Sequence, residues 1–259
     1  MNAMEAANAD IAQPVETVAY HDNGAPRSRS RLVSGKLDGE VKSFTPEGQL
    51  TECHHFRAGV LDGESRTYHG DGSLASRASF KNGKLYGEME FYEPDGRVRL
   101  RATYLHGLLE GPLEIFEAGK IQSRIEHKAG LRDGELTTYG EAGHPSSRMS
   151  YRSGEPEGEA TWYMPDGRLQ RRAAYLRGKL EGESISYYPN GQVEEQAFYA
   201  AGLLEGEVQR FYEDGALQRR QSFLVGVPQG EAEEFDPKGR KVEREKPNGW
   251  LERIGLGGG

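Results

Sequence analysis

From residue 35 to residue 248 the chain repeats itself nine times, almost always with a period of 24. The third copy, GKLYGEMEFYEPDGRVRLRATYLH (83–106), shows the grammar. Two glycines open it, a short run follows and ends on an aromatic, a turn intervenes, and a second polar-rich run ends on another aromatic. The fourth copy (107–129) is one residue short, the ninth (226–248) is degenerate, and a half copy, YHDNG (20–24), precedes the first. Self-similarity at this period specifies a stacked array in which each copy rests on its neighbours, not one compact core.

The glycines fall in three columns. The third column, with Gly48, Gly72 and Gly96 among its members, closes turns such as Pro94-Asp95-Gly96. Proline presets the first turn residue, Asp or Asn bonds back to the chain, and Gly supplies positive φ. Two short runs joined this way form an antiparallel hairpin. The first two columns, Gly35 to Gly226 and Gly39 to Gly230, are read as a crossing loop into the next hairpin. The expected fold is therefore all-β: an elongated single-layer antiparallel sheet of stacked hairpins, nine repeats plus half-unit caps, on the order of 85 Å long at the usual strand spacing. Residues 1–18 are expected to be a disordered lead, 19–250 the array and 251–259 a flexible tail. Tyr20 with Gly24, and Gly249 with Trp250, are candidate caps.

Two aromatic columns, Phe44 to Phe235 and Phe56 to Phe223, should hold the layers together by ring–ring contact. A glutamate column after the second glycine (Glu40, Glu64, Glu88 and onward) and an arginine column (Arg77, Arg101, Arg124 and onward) should form a cross-strand ladder. Two irregularities, Pro112 in the short repeat and Pro145 in the fifth, are expected to bend the ribbon near residues 110–145.

Bulk properties narrow the function. Hydrophobic residues make up 35% of the chain and mean hydropathy is −0.78, which suits a thin layer. One cysteine, Cys53, excludes an internal disulfide framework. No apolar run is long enough to span a bilayer as a helix. The start, MNAMEAANADIAQPVE, has neither a basic nor an apolar signal region, so the expected compartment is the cytoplasm, or the periplasm if an export signal has been removed. The net charge of −8 argues against nucleic acid or an anionic membrane and favours a partner with a basic surface.

The chain carries no constellation for catalysis. In Cys53-His54-His55, alternation along a strand sends His54 to the face opposite its neighbours. There is no Cys-x-x-Cys, no helical His pair, no phosphate loop and no nucleophile elbow. The expectation is a protein that is not an enzyme, with no catalytic residue, no cofactor and no metal.

If scaffold positions repeat, function should lie where the repeat varies. The position before the first aromatic is apolar only at Phe91, Ile115 and Trp162. One position after that aromatic lie Met164, Tyr188 and Tyr212, and Glu110, Glu114 and Glu117 supply acidic charge nearby. Phe91, Glu114, Ile115, Glu117, Trp162, Met164, Tyr188 and Tyr212 are thus the candidate partner-binding set, aromatic anchors with an acidic rim.

The Gly and aromatic columns resemble MORN repeats (membrane occupation and recognition nexus). They are more similar to the bacterial variant, G-x-x-x-G-x-x-x-x-Y-x-x-x-G-x-x-x-x-x-x-x-Y, over residues 20–248. Chains built of that variant are commonly assigned to the YwqK-like antitoxin family. The resemblance implies an immunity or antitoxin protein that binds a cognate toxic effector and occludes its active site. The alternative it implies is a peripheral membrane or envelope scaffold. Its stoichiometry, monomer or dimer, is left open by the sequence.

Overall fold

The computed structural model describes residues 13–242. Those residues form strands and turns, with no helix among them. The chain divides into two compact bodies, residues 1–155 and 156–259. Each is an open antiparallel sheet of hairpin-linked strands. In the N-terminal body the strands follow one another from Val15–Tyr20 to Pro145–Arg152, each long strand paired with the next and the short Lys36–Leu37 pairing with Pro26–Val33 alongside Gly39–Phe44. In the C-terminal body they run in the same way from Glu155–Tyr163 to Val227–Glu234. Val15–Tyr20 is a strand paired with Pro26–Val33, so the array begins before the boundary expected at residue 19. Gly249, Trp250 and the tail 251–259 lie outside the described residues.

Both kinds of connection are hairpins, which corrects the crossing loop expected at the first two glycines. Leu105 pairs with Leu108 around His106 (φ 54) and Gly107 (φ 86). Positive φ at both central residues is a type I′ turn, whose twist matches that of its flanking strands. Successive turns hang on one another. Gly107 N–H donates to Leu85 O at 2.8 Å, and Gly130 N–H to Leu109 O at 2.9 Å. A carboxylate three residues past each turn usually reaches the next one: Asp62 accepts from Asn82 N–H at 3.0 Å, Glu110 from Ala129 N–H at 2.8 Å, and Glu205 from Val225 N–H at 2.8 Å.

The second glycine sits inside a strand, at a bulge. Ala78 pairs with Met89 and Phe80 with Leu85, so Tyr86, Gly87 and Glu88 oppose Ser79 alone. The bulge brings backbones close. At Gly134 (φ 122) an added Cβ would lie 2.7 Å from Glu126 Cβ, a distance no side chain can occupy without displacing the strand. The residue missing from the fourth repeat is absorbed at its other turn. Five residues, 93–97, link Tyr92 to Val98 in the third repeat, whereas four, 117–120, link Phe116 to Ile121, and there Glu117 pairs with Lys120 around Ala118–Gly119. Pairing continues through Leu108–Glu117, Lys120–Lys128 and Leu131–Tyr139, and Pro145 opens its strand, where a missing N–H is tolerated.

Alternation divides each sheet into two faces. One carries Glu90, Tyr92 and Arg101, and is termed the arginine face. The other carries Met89, Ala102 and Tyr104, and is termed the alanine face. The deepest positions are mostly alanines in mid-strand, and Ala160, 1% exposed, shows that they occur on first strands as well as second. Ala78, Ala102 and Ile125 are buried in the N-terminal body, and Ala173 and Ala197 in the C-terminal body. Ala102 is fully covered. The aromatic columns do not stack on themselves. Equivalent strands are two strand spacings apart, about 9.6 Å, beyond the 4.5–7 Å at which ring pairs interact. Guanidinium groups fill the interval instead: Arg29 over Phe44 at 6.0 Å, Arg101 over Phe116 at 5.9 Å and Arg220 over Phe235 at 5.7 Å.

Candidate binding site

On the arginine face of the N-terminal body the ion ladder forms, but with a different glutamate from the one expected. Glu88 opposes Thr103, while Glu90, two residues on, is opposite both Arg77 and Arg101. Arg77 Nη2 donates to Glu90 Oε2 at 2.7 Å and Arg101 Nε to Glu90 Oε1 at 3.0 Å. Tyr92 Oη adds a hydrogen bond at 2.5 Å. Burial pushes the Glu90 carboxyl up, but hydrogen bonds from Tyr92, Arg101 and Arg77 outweigh it and hold the group below the usual carboxylate range. The Tyr92 phenol is pushed up by burial and then by the carboxylate beside it. Glu114 continues the ladder, between Arg101 at 3.4 Å and Arg124 at 3.9 Å. This corrects its assignment to an acidic rim, because alternation places Glu114 on the face opposite Ile115 and two arginines offset its charge. Glu110 is likewise committed, to the Ala129 N–H.

The alanine face carries the repeat's most informative row. Across the N-terminal body, directly opposed residues read Ser43, Glu52, Thr67, Ser76, Phe91, Leu100, Ile115, Ser123, Thr138 and Ser147. Hydroxyls bond across the ordinary steps, as Thr67 Oγ1 to Ser76 Oγ at 2.7 Å and Thr138 Oγ1 to Ser147 Oγ at 2.6 Å. Phe91, Leu100 and Ile115 interrupt that row with three apolar side chains on adjacent strands, where cross-strand neighbours touch. Leu100 was not among the expected residues. Its column otherwise holds Glu52, Ser76, Ser123 and Ser147, but its kinship with Phe91 appears only once the bulged register is known.

Ile115 is 41% exposed and opens onto a shallow groove shared with Phe116, Glu117, Arg97, Arg99 and Gln122. Arg99 lies over the Phe91 ring at 5.8 Å. Glu117 is exposed and lines the same groove as Ile115.

In the C-terminal body the same row reads Trp162, Arg171, Ser186, Glu195, Arg210, Arg219 and Glu234. Trp162 and Met164 share an open groove with Arg171 and Glu194, and Arg171 lies over the Trp162 ring at 5.3 Å. Tyr188 and Tyr212 are half-buried and do structural work. Tyr188 Oη donates to Phe211 O at 2.8 Å and Tyr212 Oη to Phe235 O at 2.9 Å, each linking one repeat to the next. The set expected from sequence is thus shared between the two bodies, with Phe91, Glu114, Ile115 and Glu117 in one and Trp162, Met164, Tyr188 and Tyr212 in the other.

Cys53 is buried on the arginine face and donates from Sγ to Glu40 Oε1 at 3.0 Å. Burial, then that carboxylate, raise the thiol to about 11, so it is protonated at neutral pH. His54 points to the other face, to Ser65 Oγ at 2.6 Å, and His55 returns to Glu64 O at 3.1 Å. No cluster of metal-ligating side chains occurs among the described residues.

The MORN repeat variant model matches residues 37–58, 61–82, 180–201 and 204–224. The match falls on four of the nine repeats, two in each body. No curated protein matches the chain. Among solved structures the chain is similar to the Tc holotoxin pore of Photorhabdus luminescens with a mutated TccC3, at 12% identity over 83% of this chain and 14% of that one, with a TM-score of 0.22. It is similar also to TcdB2-TccC3-TEV, at 12% identity over 87% of this chain and 14% of that one, TM-score 0.22. A third, TcdB2-TccC3-Cdc42, is 10% identical over 86% of this chain and 13% of that one, TM-score 0.22. The chain spans a small fraction of the length of each.

Proposed function

We propose that this MORN-repeat chain is a binding scaffold of the immunity or antitoxin type, which engages a cognate toxic effector protein and blocks its active site. One observation carries the reading. A row that is serine and threonine through most of the N-terminal body becomes Phe91–Leu100–Ile115 on three neighbouring strands. A hydroxyl ladder keeps such a row solvated, and three apolar side chains in its place gain from being covered by a partner. The Trp162–Met164 groove of the C-terminal body offers a further aromatic anchor. The net charge of −8 favours approach of a basic partner surface, and Glu117 supplies a local acid beside Ile115. The repeat grammar alone supports binding in general, since a fold does not name a function.

The test is co-expression with the product of the adjacent gene. The reading expects a toxic neighbour whose toxicity is suppressed and which co-elutes with this chain in size exclusion. A neighbour that is harmless alone, or one that forms no complex, overturns it.

A further inference from the structure

We infer that the type I′ turn of the third repeat is a second docking surface, fitted to an acidic protein segment that also carries apolar side chains. The surface lies on the turn edge of the N-terminal body, away from the Phe91 row, and goes beyond the immunity reading. It is marked by a break in the carboxylate column that caps successive turns. Asp38, Asp62, Glu110, Asp133, Glu181 and Glu205 each accept a hydrogen bond from the backbone N–H of the next turn. At the corresponding place in the third repeat stands Tyr86. Its ring is 39% exposed and meets the His106 ring edge-on at 5.9 Å, and Lys81 Nζ lies 5.2 Å from its centroid.

The charges around Tyr86 point to the sign of the partner. Lys81 and Lys84 are directly opposed across the Asn82–Gly83 turn. Like charges so placed repel, and neither lysine has an ion-pair partner among the described residues. The neighbouring turns differ: Arg57 lies 3.8 Å from Asp62, and the turn after Tyr86 carries Leu105 and Leu108 where this one carries the lysines. This turn holds two opposed ammonium groups, and Asp62, which caps its Asn82 N–H at 3.0 Å, forms an ion pair with Arg57 and with neither lysine. Carboxylates from a partner would relieve the repulsion that remains between the two lysines.

Apolar surface continues from Tyr86 along the same edge. Leu105 and Leu108 are paired across the His106–Gly107 turn and are 41% and 52% exposed. Leu108 packs over Gly130, which precedes Leu131, itself 52% exposed. A ring, two lysines and three leucines along one turn edge make an amphipathic strip, and a segment mixing Glu or Asp with aliphatic residues matches it in both respects.

Fluorescence polarisation with the full chain tests this, using a short labelled peptide built only of Glu and Leu, one built only of Lys and Leu, and phosphatidylserine vesicles. The Glu–Leu peptide should bind and the Lys–Leu peptide should not. Tyr86→Asp restores the usual capping acid for the His106 N–H, so the fold should be as stable as before or more so, while Glu–Leu affinity falls by about tenfold. Lys81→Glu with Lys84→Glu should lower it at least as much. Changing Phe91, Leu100 and Ile115 should leave it unaltered, which separates this surface from the one proposed for the effector. Equal binding by the Tyr86→Asp variant, equal binding of the Lys–Leu peptide, binding to vesicles alone, or no binding of either peptide overturns the inference.

Discussion

Glu90 and Glu233 occupy the same position of the third and ninth repeats, and each meets an arginine of the preceding strand. Their surroundings differ. Glu90 is buried between Arg77 on one strand and Arg101 on the other, with Tyr92 closing the third side. Glu233 meets Arg220 and Lys241 and keeps 29% of its side chain exposed. The difference teaches how a single-layer array stabilises itself. Nothing covers a residue from above, so burial comes from neighbours along the sheet, and a repeat flanked on both sides has more of it. The middle of the N-terminal body can therefore tolerate departures from the repeat that an end could not.

The largest expected effect comes from breaking the flanked member of this pair. Glu90→Ala leaves two arginines and a phenol without their common acceptor and should cost about 3 kcal/mol in urea unfolding. A loss no larger than that of an exposed pair would contradict the burial argument. The glycine columns sharpen the comparison next. Gly134→Ala meets both a φ of 122 and the Glu126 side chain, and should cost about 2 kcal/mol. Gly182→Ala in the C-terminal body has φ 79 and open space around it, so it should cost about 1 kcal/mol. Equal losses at the two sites would show that backbone strain alone, and not the close approach, decides.

Acid unfolding gives a smaller, graded test. The Glu90 carboxyl titrates below its unfolded value, so its contribution is complete above about pH 4.3 and is lost as pH falls through the folded value. Glu90→Gln should therefore flatten the acid limb of the stability profile, and an unchanged limb would place the acid sensitivity elsewhere. The smallest effect is expected at Glu233→Ala, whose solvent-screened pairs should leave the unfolding midpoint where it was.

The sequence made some layers of this structure legible and hid others, for physical reasons. Turns such as 93–97 and 164–168 could be read because their chemistry is local: Asp95 accepts from Arg97 N–H at 3.0 Å and Asp166 from Arg168 N–H at 3.1 Å. The hairpins and their repetition followed from that. The role of the second glycine did not, because a bulge inside a strand and a loop between strands use the same residue. That ambiguity then propagated. Glu88 and Glu90 share a face, and only the bulged register decides which of them reaches the arginines. Leu100 was hidden for the same reason. Tyr188 and Tyr212 looked like free aromatic anchors because nothing in the sequence shows a phenol reaching a carbonyl 23 residues away.

The central claim is that function lies in residues that depart from the period while the repeating residues hold the fold. The direct measurement is the triple change Phe91→Thr, Leu100→Ser and Ile115→Thr, which returns the row to the residues other repeats use. The account predicts a folded chain with its thermal midpoint nearly unchanged and a lost complex with the effector in size exclusion. A complex that survives the change, or a chain that unfolds because of it, would contradict the account.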